Sequence, residues 1–215
     1  MSQIAALQDA VVVAGRFPLL SGVSLTIDEP GVTVLSGGNG AGKTSLLRLL
    51  GGLAALSAGS AEVLGIDLAK GDRRELRRRV GWLGHEGSFY DELTVSDNLR
   101  FAARALERPL EEIAPALERV SLSSRANVAT KSLSAGQRRR LALAWLLVRR
   151  PSLWLLDEPY ASLDDNGRQF LDALLADVVV SGVAVVLSAH DALRDETLRP
   201  RTLRMAGGRI VDEAD

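Results

Sequence analysis

Hydrophobic positions along the chain fall into short apolar runs that alternate with stretches of helical spacing. Two of the runs, Ser152–Leu156 and Val183–Leu187, are almost continuously apolar, which is typical of parallel strands buried on both faces. Leu25–Ile27 alternates weakly, as a half-exposed strand does. The pattern predicts β-strands at Ala10–Val13, Leu25–Ile27, Val32–Ser36, Val80–Leu83, Ser152–Leu156 and Val183–Leu187.

Helices are predicted between these strands by leucines spaced three and four positions apart. Thr94 with Asp97, and Ser134 with Gln137, have the spacing of N-terminal capping boxes, in which each end residue bonds the backbone of the other. The predicted helical stretches are Thr44–Leu53, Thr94 to about Val120, Ser134–Val148 and Phe170–Val179.

The order of these elements predicts the fold class. Strands that alternate with helices at both ends of the chain indicate an α/β fold with a parallel sheet. The 215 residues fit one domain of ordinary size. We therefore expect a single domain over residues 1–215, with a helical subdomain inserted at about residues 86–150.

Composition excludes several kinds of protein. The net charge is −1, which argues against a nucleic-acid partner, because such proteins usually carry a basic excess. The chain has no cysteine, and this excludes a disulfide scaffold, a cysteine-ligated metal and a cysteine nucleophile. The longest strictly apolar run, Leu141–Val148, is far shorter than the ~20 residues that span a bilayer. The first ten residues do not have the pattern of a signal peptide.

A phosphate-binding motif follows the strand candidate Val32–Ser36. Gly37–Thr44 matches the P-loop (Walker A) pattern G-x-x-x-x-G-K-[ST], and the predicted helix begins directly after it, which disfavours a simple glycine-rich turn. Glycines let backbone N–H groups face an anion, and the helix N-terminus adds positive charge. Lys43 is expected on the β- and γ-phosphates and the Thr44 hydroxyl on Mg²⁺. The predicted phosphate-binding residues are Gly37, Gly38, Asn39, Gly40, Ala41, Gly42, Lys43, Thr44 and Ser45.

Two carboxylates stand at the end of the apolar strand Ser152–Leu156. Ligands of open α/β sheets bind at the carboxyl ends of the strands. Asp157 therefore suits the Mg²⁺ shell, and Glu158 suits the polarisation of an attacking water. Such a pair alone can be a solvated turn. Together with the P-loop it predicts a site for ATP and Mg²⁺.

A third motif identifies a family. Leu133–Gln137 reads Leu-Ser-Ala-Gly-Gln and precedes Arg138–Ala144. Taken singly, these residues describe only a capped helix. With the other motifs they resemble the LSGGQ signature of ABC ATPases, with Ala135 in place of the first signature glycine. Pro159–Asp164 then resembles the segment that leads into the D-loop, with Asp164 as its aspartate, and His190 resembles the H-loop histidine.

The resemblance spans the whole chain and carries several expectations. It implies a P-loop, RecA-like parallel-sheet core with an N-terminal β subdomain. It implies a head-to-tail homodimer in which ATP lies between Gly37–Ser45 of one copy and the signature residues of the other, with Glu158 and His190 catalytic. It also implies docking through Glu86–Leu99 onto an integral membrane permease, at the inner, cytoplasmic face of the cell membrane. The signature residues expected on ATP are Ser134, Ala135, Gly136 and Gln137.

Two departures from the family pattern narrow the resemblance. His85 stands where these ATPases carry the Q-loop glutamine, and it is expected near the nucleotide. The aromatic that stacks on adenine would fall near Ala14 and is absent, and Phe17 is the nearest aromatic. His85, the signature with Ala135, and Trp154 in the acidic segment together resemble the ATP-binding subunits of the haem exporter of cytochrome c maturation.

Other functions stay open at this point. The chain could be the ATPase subunit of another small ABC exporter. It could also be a regulatory module that binds ATP without useful turnover. His85 motivates this second alternative, and Lys43 and Glu158 argue against it. An ABC ATPase of ribosomes or DNA is disfavoured by the single domain and the absence of a basic excess. The arginine runs Arg73–Arg79 and Arg138–Arg140 could meet an acidic partner or a membrane, but solvated helix faces are favoured.

Overall fold

The computed structural model describes residues 3–84, 89–161, 163–189 and 198–214. Its β-strands are β1 Ala5–Ala14, β2 Phe17–Ile27, β3 Val32–Ser36, β4 Ala58–Val63, β5 Ile66–Asp67, β6 Val80–Leu83, β7 Leu153–Leu156, β8 Ala184–Ser188, β9 Arg201–Ala206 and β10 Arg209–Ala214. Its α-helices are α1 Lys43–Leu50, α2 Arg73–Arg79, α3 Val95–Ala105, α4 Ile113–Arg119, α5 Ala135–Arg149 and α6 Asp165–Val180. Within these ranges, no helix is long and apolar enough to cross a membrane.

The strands form two sheets. The larger has the order β10-β9-β3-β8-β7-β6, and all of its neighbours pair in parallel except the hairpin β9–β10. The smaller is antiparallel, in the order β2-β1-β4-β5. The predicted α/β fold with a parallel core and an N-terminal β part is confirmed. Because β3, β6, β7 and β8 run the same way, the segments that follow them meet at one edge of the sheet.

Two groups of buried side chains cover the two faces of the parallel sheet. Between the sheets, Leu46, Leu47, Leu49 and Leu50 of α1 are fully buried. On the other face, α3 to α6 pack around Trp154. Fully burying a leucine contributes about 1.5–3 kcal/mol, so α1 is held firmly against the strands that flank it. The start of α1, where the P-loop ends, is fixed by this packing.

The predicted helix Thr44–Leu53 ends three residues early. Gly52 has a φ of 65°, and the amides of Gly52 and Leu53 bond the carbonyls of Leu49 and Arg48. This is the glycine-terminated helix end in which a left-handed residue lets two amides turn back on the last turn. The predicted helical stretch from Thr94 to Val120 is likewise two helices, α3 and α4.

The arginine run of α2 is largely solvated, as predicted. Arg74, Arg77 and Arg78 are exposed, while Arg73 and Arg79 are partly buried and donate to the carbonyls of Leu68 and Leu64. For the second run the same interpretation is wrong, because Arg139 and Arg140 on α5 are partly buried. Arg140 donates to the carbonyl of Val120 and lies over the ring of Phe170.

Candidate nucleotide site

The P-loop connects the end of β3 to the start of α1. Gly37 has a φ of 139°, and a Cβ there would collide with the carbonyl oxygen of Met205 on β9. Gly42, the residue that caps α1, has a φ of 103°. Side chains are strained in this left-handed region, so both positions favour glycine. The loop therefore delivers the N-terminal amides of α1, which lack intrahelical partners and attract anions.

Lys43 lies beneath this loop. Its side chain is only 6% exposed, and Nζ donates to the carbonyls of Gly37, at 2.6 Å, and Gly38, at 3.1 Å. An ammonium group has three donors, so these bonds fix its position and leave a third direction in which it can meet a phosphate oxygen. The geometry suits a compact cation held inside an anion-binding loop.

Asp157 follows β7 and is 3% exposed. The Thr44 hydroxyl lies 3.1 and 2.9 Å from its two carboxylate oxygens, and the Ser188 hydroxyl donates to one of them at 2.7 Å. Thus β7, β8 and α1 contribute oxygen atoms to one cluster. Ser188 was not identified from the sequence, although its place at the end of the buried strand β8 is a signal that could have found it.

Glu158 adopts a backbone conformation that is uncommon for its residue type. Its φ is 46°, and its amide donates to the Ser188 hydroxyl at 2.8 Å. Non-glycine residues reach this region at some cost, and they persist when surrounding bonds hold them. Glu158 also lines the cleft beside the P-loop, where a carboxylate can orient or deprotonate a water.

The cleft has a volume of about 410 Å³. Its walls are the P-loop from Asn39 to Ser45, Glu158, the turn Gly207–Gly208 and the start of β2. A larger cleft of about 820 Å³ lies at the opposite edge of the parallel sheet, where Ser152 and Val183 precede β7 and β8. Of the predicted site residues that the structure describes, none lines that larger cleft. The smaller cleft is therefore the candidate site.

The remaining predicted residues either lie away from this cleft or fall outside the residues that the structure describes. Ser134 caps α5 and forms the predicted capping box with Gln137, and the signature residues do not line the cleft of their own chain. Asp164 caps α6 by accepting from the Gly167 amide at 2.7 Å. His85 and His190 fall outside the described residues.

Oxygen ligands at the start of α1 and just after the end of β7 fit a magnesium ion. Mg²⁺ prefers oxygen ligands and is usually held by one or two side chains together with substrate phosphates and waters. Thr44 and Asp157 supply a hydroxyl and a buried carboxylate directly beside the P-loop. This small, all-oxygen set suits Mg²⁺ in the presence of a nucleotide phosphate.

Arg139 was also missed by sequence reasoning. It lies in the second turn of α5, and its guanidinium donates to the carbonyls of Asp157 and Glu158. Burial lowers the pKa of Arg139, and the nearby charges of Asp157 and Glu158 raise it in part. Because it lies in a run of three arginines, the sequence predicted a solvated side chain. No local signal distinguishes Arg139 from the neighbouring arginines.

Known proteins of one family are similar to this chain in sequence. The sequence profile described as "ABC transporter" matches residues 20–161. A cytochrome c biogenesis ATP-binding export protein, CcmA 2 of Salmonella paratyphi A, is 38% identical over 88% of this chain and 91% of its own length. The protein named CcmA in Pseudomonas putida is 43% identical over 80% of this chain and 81% of its own length.

Solved structures show the same fold. An ATP-binding subunit of an ABC transporter superposes with a TM-score of 0.89 and 23% identity, over 98% of this chain and 89% of that chain. A dimeric ATP-binding cassette in a post-hydrolysis state, bound to ADP and Pi, superposes with a TM-score of 0.84 and 24% identity, over 98% of both chains.

Proposed function

The chain belongs to the ABC transporter family and, within it, to the cytochrome c biogenesis ATP-binding export proteins, and on this premise we propose that it powers the export of haem for cytochrome c maturation. It binds and hydrolyses ATP in coupling to transport. The observation that carries the assignment of the site is the contact between Thr44 and Asp157. It joins the P-loop to the end of β7, beside a cleft that the P-loop and Glu158 line.

In the proposed site the triphosphate lies over the P-loop. Lys43 and the first amides of α1 neutralise its charge, and charge-assisted bonds of this kind are about twice as strong as neutral ones. The bound Mg²⁺ supplies charge neutralisation at the β- and γ-phosphates. Thr44 and Asp157 would hold that ion, because their oxygens already face each other.

Glu158 is the proposed general base. Its carboxylate is delivered to the cleft at the end of β7, where it can take the proton of the water that attacks the γ-phosphate. His190, which follows β8 in the sequence, is proposed to contact the γ-phosphate, and His85 is proposed to stand near the nucleotide. Phe17 is 77% exposed and adjoins Pro18 and Leu19 at the rim of the cleft, which supports a role against adenine.

A second copy of the chain is proposed to complete each site. Ser134, Ala135 and Gly136 are exposed at the N-terminus of a 15-residue helix, and nothing lies within 4 Å of a Cβ built on Gly136. This positive helix end has room for a phosphate but does not reach the cleft of its own chain. A head-to-tail homodimer satisfies both observations, with Asp164 near the shared interface.

An exposed aromatic pair supports a docking surface for a membrane permease. Tyr90 and Phe101 are 53% and 49% exposed, and their rings meet edge to face at 5.2 Å. Leu93 beside them is 37% exposed. Tyr90 and Leu93 belong to the predicted docking segment Glu86–Leu99. We therefore propose that this surface binds the permease and holds the chain peripherally at the cytoplasmic face of the membrane.

The haem-export assignment is tested by complementation. In a bacterial host that lacks its own protein of this family, the chain expressed with its cognate permease should restore covalently haem-bearing c-type cytochromes. The Lys43→Ala variant should not restore them, and Lys70→Ala, an exposed lysine outside the site, should. If the chain restores the export of another substrate but not the c-type cytochromes, haem is not its cargo. The assignment as a transport ATPase would still hold.

A further inference from the structure

One arginine side chain connects three segments that meet at the candidate site. Arg139 lies on α5, the helix that begins at the signature residue Ser134. Its guanidinium donates to four main-chain carbonyls. The acceptors are Gly84 at 2.9 Å, Asp157 at 3.3 Å, Glu158 at 2.6 Å and Pro159 at 3.3 Å.

The acceptors belong to separate parts of the sheet edge. Gly84 follows β6, and the other three follow β7, so the guanidinium bridges the ends of two neighbouring parallel strands. A rigid, planar fork with five donors suits this task, and a lysine or glutamine cannot reach as many acceptors. Movement of α5 along its axis would therefore pull on both strand ends.

The shortest of these bonds acts on the peptide of Glu158. That residue has a φ of 46°, in the left-handed region that non-glycine residues adopt only at a cost in conformational energy. Its amide is held by the Ser188 hydroxyl at 2.8 Å, and its carbonyl by Arg139 at 2.6 Å. The Glu158 carbonyl also accepts the Ala161 amide at 3.1 Å. Together these bonds hold the backbone of a residue that lines the cleft.

A second arginine on the same helix shows that the contact with the site is particular to Arg139. Arg149 also donates to two main-chain carbonyls, those of Arg77 and Val80, and burial lowers its pKa as it does for Arg139. The charges of Asp157 and Glu158 partly offset the lowering of the pKa of Arg139, whereas burial is the cause of the lowered pKa of Arg149. Arg149 is at the far end of α5 and is the matched control for a structural role.

We propose that Arg139 is a positioning residue for hydrolysis: it fixes the backbone of Glu158 and ties its orientation to the signature helix. The inference rests on the proposed function, in which Glu158 is the base and Ser134 meets the ATP of the second copy. A shift of α5 caused by that ATP then reaches the Glu158 of its own chain through one side chain. Arg139 thereby links the two nucleotide sites of the dimer.

The test compares Arg139→Gln, Arg139→Lys and Arg149→Gln with the unaltered protein. Steady-state hydrolysis, ATP affinity by calorimetry and thermal unfolding are measured for each. We expect Arg139→Gln to lower kcat on the order of 10²-fold, as a misplaced catalytic group does, with KM and ATP affinity within a few-fold. Arg139→Lys keeps the charge and should recover part of kcat. Arg149→Gln should keep kcat even where it unfolds at a lower temperature.

The outcomes separate this inference from the proposed function. An unaltered protein without ATPase activity would contradict the proposed function itself. With an active unaltered protein, a folded Arg139→Gln that retains kcat, or that raises only KM, would overturn the role of Arg139. An equal loss of kcat in Arg149→Gln would also overturn it. If Arg139→Gln does not fold, Arg139→Lys is the deciding variant. Full activity of Arg139→Lys would contradict a role that depends on hydrogen bonds from the guanidinium to four carbonyls.

Discussion

Thr44 and Asp157 are 113 positions apart in the chain, and the Thr44 hydroxyl lies 2.9 Å from the nearer carboxylate oxygen of Asp157. The contact exists because β3 and β7 flank β8 in one parallel sheet and end at the same edge. It gathers a hydroxyl and a buried carboxylate beside the phosphate-binding loop, which is the arrangement that a nucleotide-bound Mg²⁺ requires.

Removal of the Asp157 charge should weaken the binding of magnesium. In Asp157→Asn the amide keeps the shape and can still bond the Thr44 and Ser188 hydroxyls, but it is a weaker ligand for a hard cation. We expect ATP hydrolysis to fall at least 10²-fold and the Mg²⁺ concentration for half-maximal activity to rise, because the ion supplies several kcal/mol of charge stabilisation. Asp177→Asn, which changes an exposed carboxylate paired with Arg119, is the control. Unchanged Mg²⁺ dependence in Asp157→Asn would assign the ion to other residues.

Lys43→Ala should abolish tight ATP binding. The buried ammonium is fixed by the carbonyls of Gly37 and Gly38, and alanine removes its charge from the phosphate-binding loop. Lys43→Arg should also bind poorly, because a planar fork does not fit a position built for a compact charge. Isothermal calorimetry with ATP measures both, and the exposed Lys70→Ala is the control. Equal affinity in Lys43→Ala and the unaltered protein would contradict the phosphate-binding role of the loop.

Much of this site was predictable because its motifs are local. Gly37–Thr44 contains its own turn chemistry, and the apolar strand before Asp157 indicated that both motifs end at the same sheet edge. Ser188 and Arg139 were missed because their roles depend on tertiary placement. Arg139 differs from Arg138 only in the direction in which it leaves α5, which a run of three arginines does not reveal.

The smaller sheet was predicted only in part for a related reason. β4 reads Ala-Gly-Ser-Ala-Glu-Val, with only two buried positions, so its apolar signal is weak. It forms because β1 offers it a hydrogen-bonding edge with a partner such as Ala61 opposite Leu7. Pairing with a distant strand outweighs low intrinsic β-propensity, and such pairing is not visible in a single segment.

Phe17→Ala should remove only the contribution that the adenine base makes to nucleotide binding. Stacking of a base on an aromatic ring contributes about 1–3 kcal/mol, so the Kd for ATP should rise roughly 5- to 150-fold. The affinity for inorganic tripolyphosphate, which has no base, should not change. Phe101→Ala, at an exposed aromatic on α3, is the control in the isolated chain. An equal loss of affinity for ATP and tripolyphosphate would show that Phe17 acts on the loop rather than on adenine.

Asn98→Ala should destabilise the fold. Asn98 is fully buried, and its amide group bonds the backbone of Tyr90 on both sides and the Thr130 hydroxyl at 2.9 Å. Each buried group left without a partner costs about 1–3 kcal/mol, so the free energy of unfolding in urea should fall by at least that amount. Asn166→Ala, at an exposed position of α6, should have little effect. A loss no larger than that of Asn166→Ala would mean that water replaces the lost bonds.

The central claim is that the chain hydrolyses ATP in a site that two copies of the chain complete. The variant Glu158→Gln tests this claim most directly. A positioned general base contributes ~10²–10⁴-fold in rate, and glutamine keeps the shape without accepting the proton. The variant should therefore bind ATP with nearly unaltered affinity, hydrolyse it at least 10²-fold more slowly, and elute as a dimer in ATP and as a monomer without nucleotide. Glu62→Gln, at an exposed position of β4, should hydrolyse ATP normally. Near-normal turnover by Glu158→Gln, or a variant that stays monomeric with ATP bound, would contradict the account.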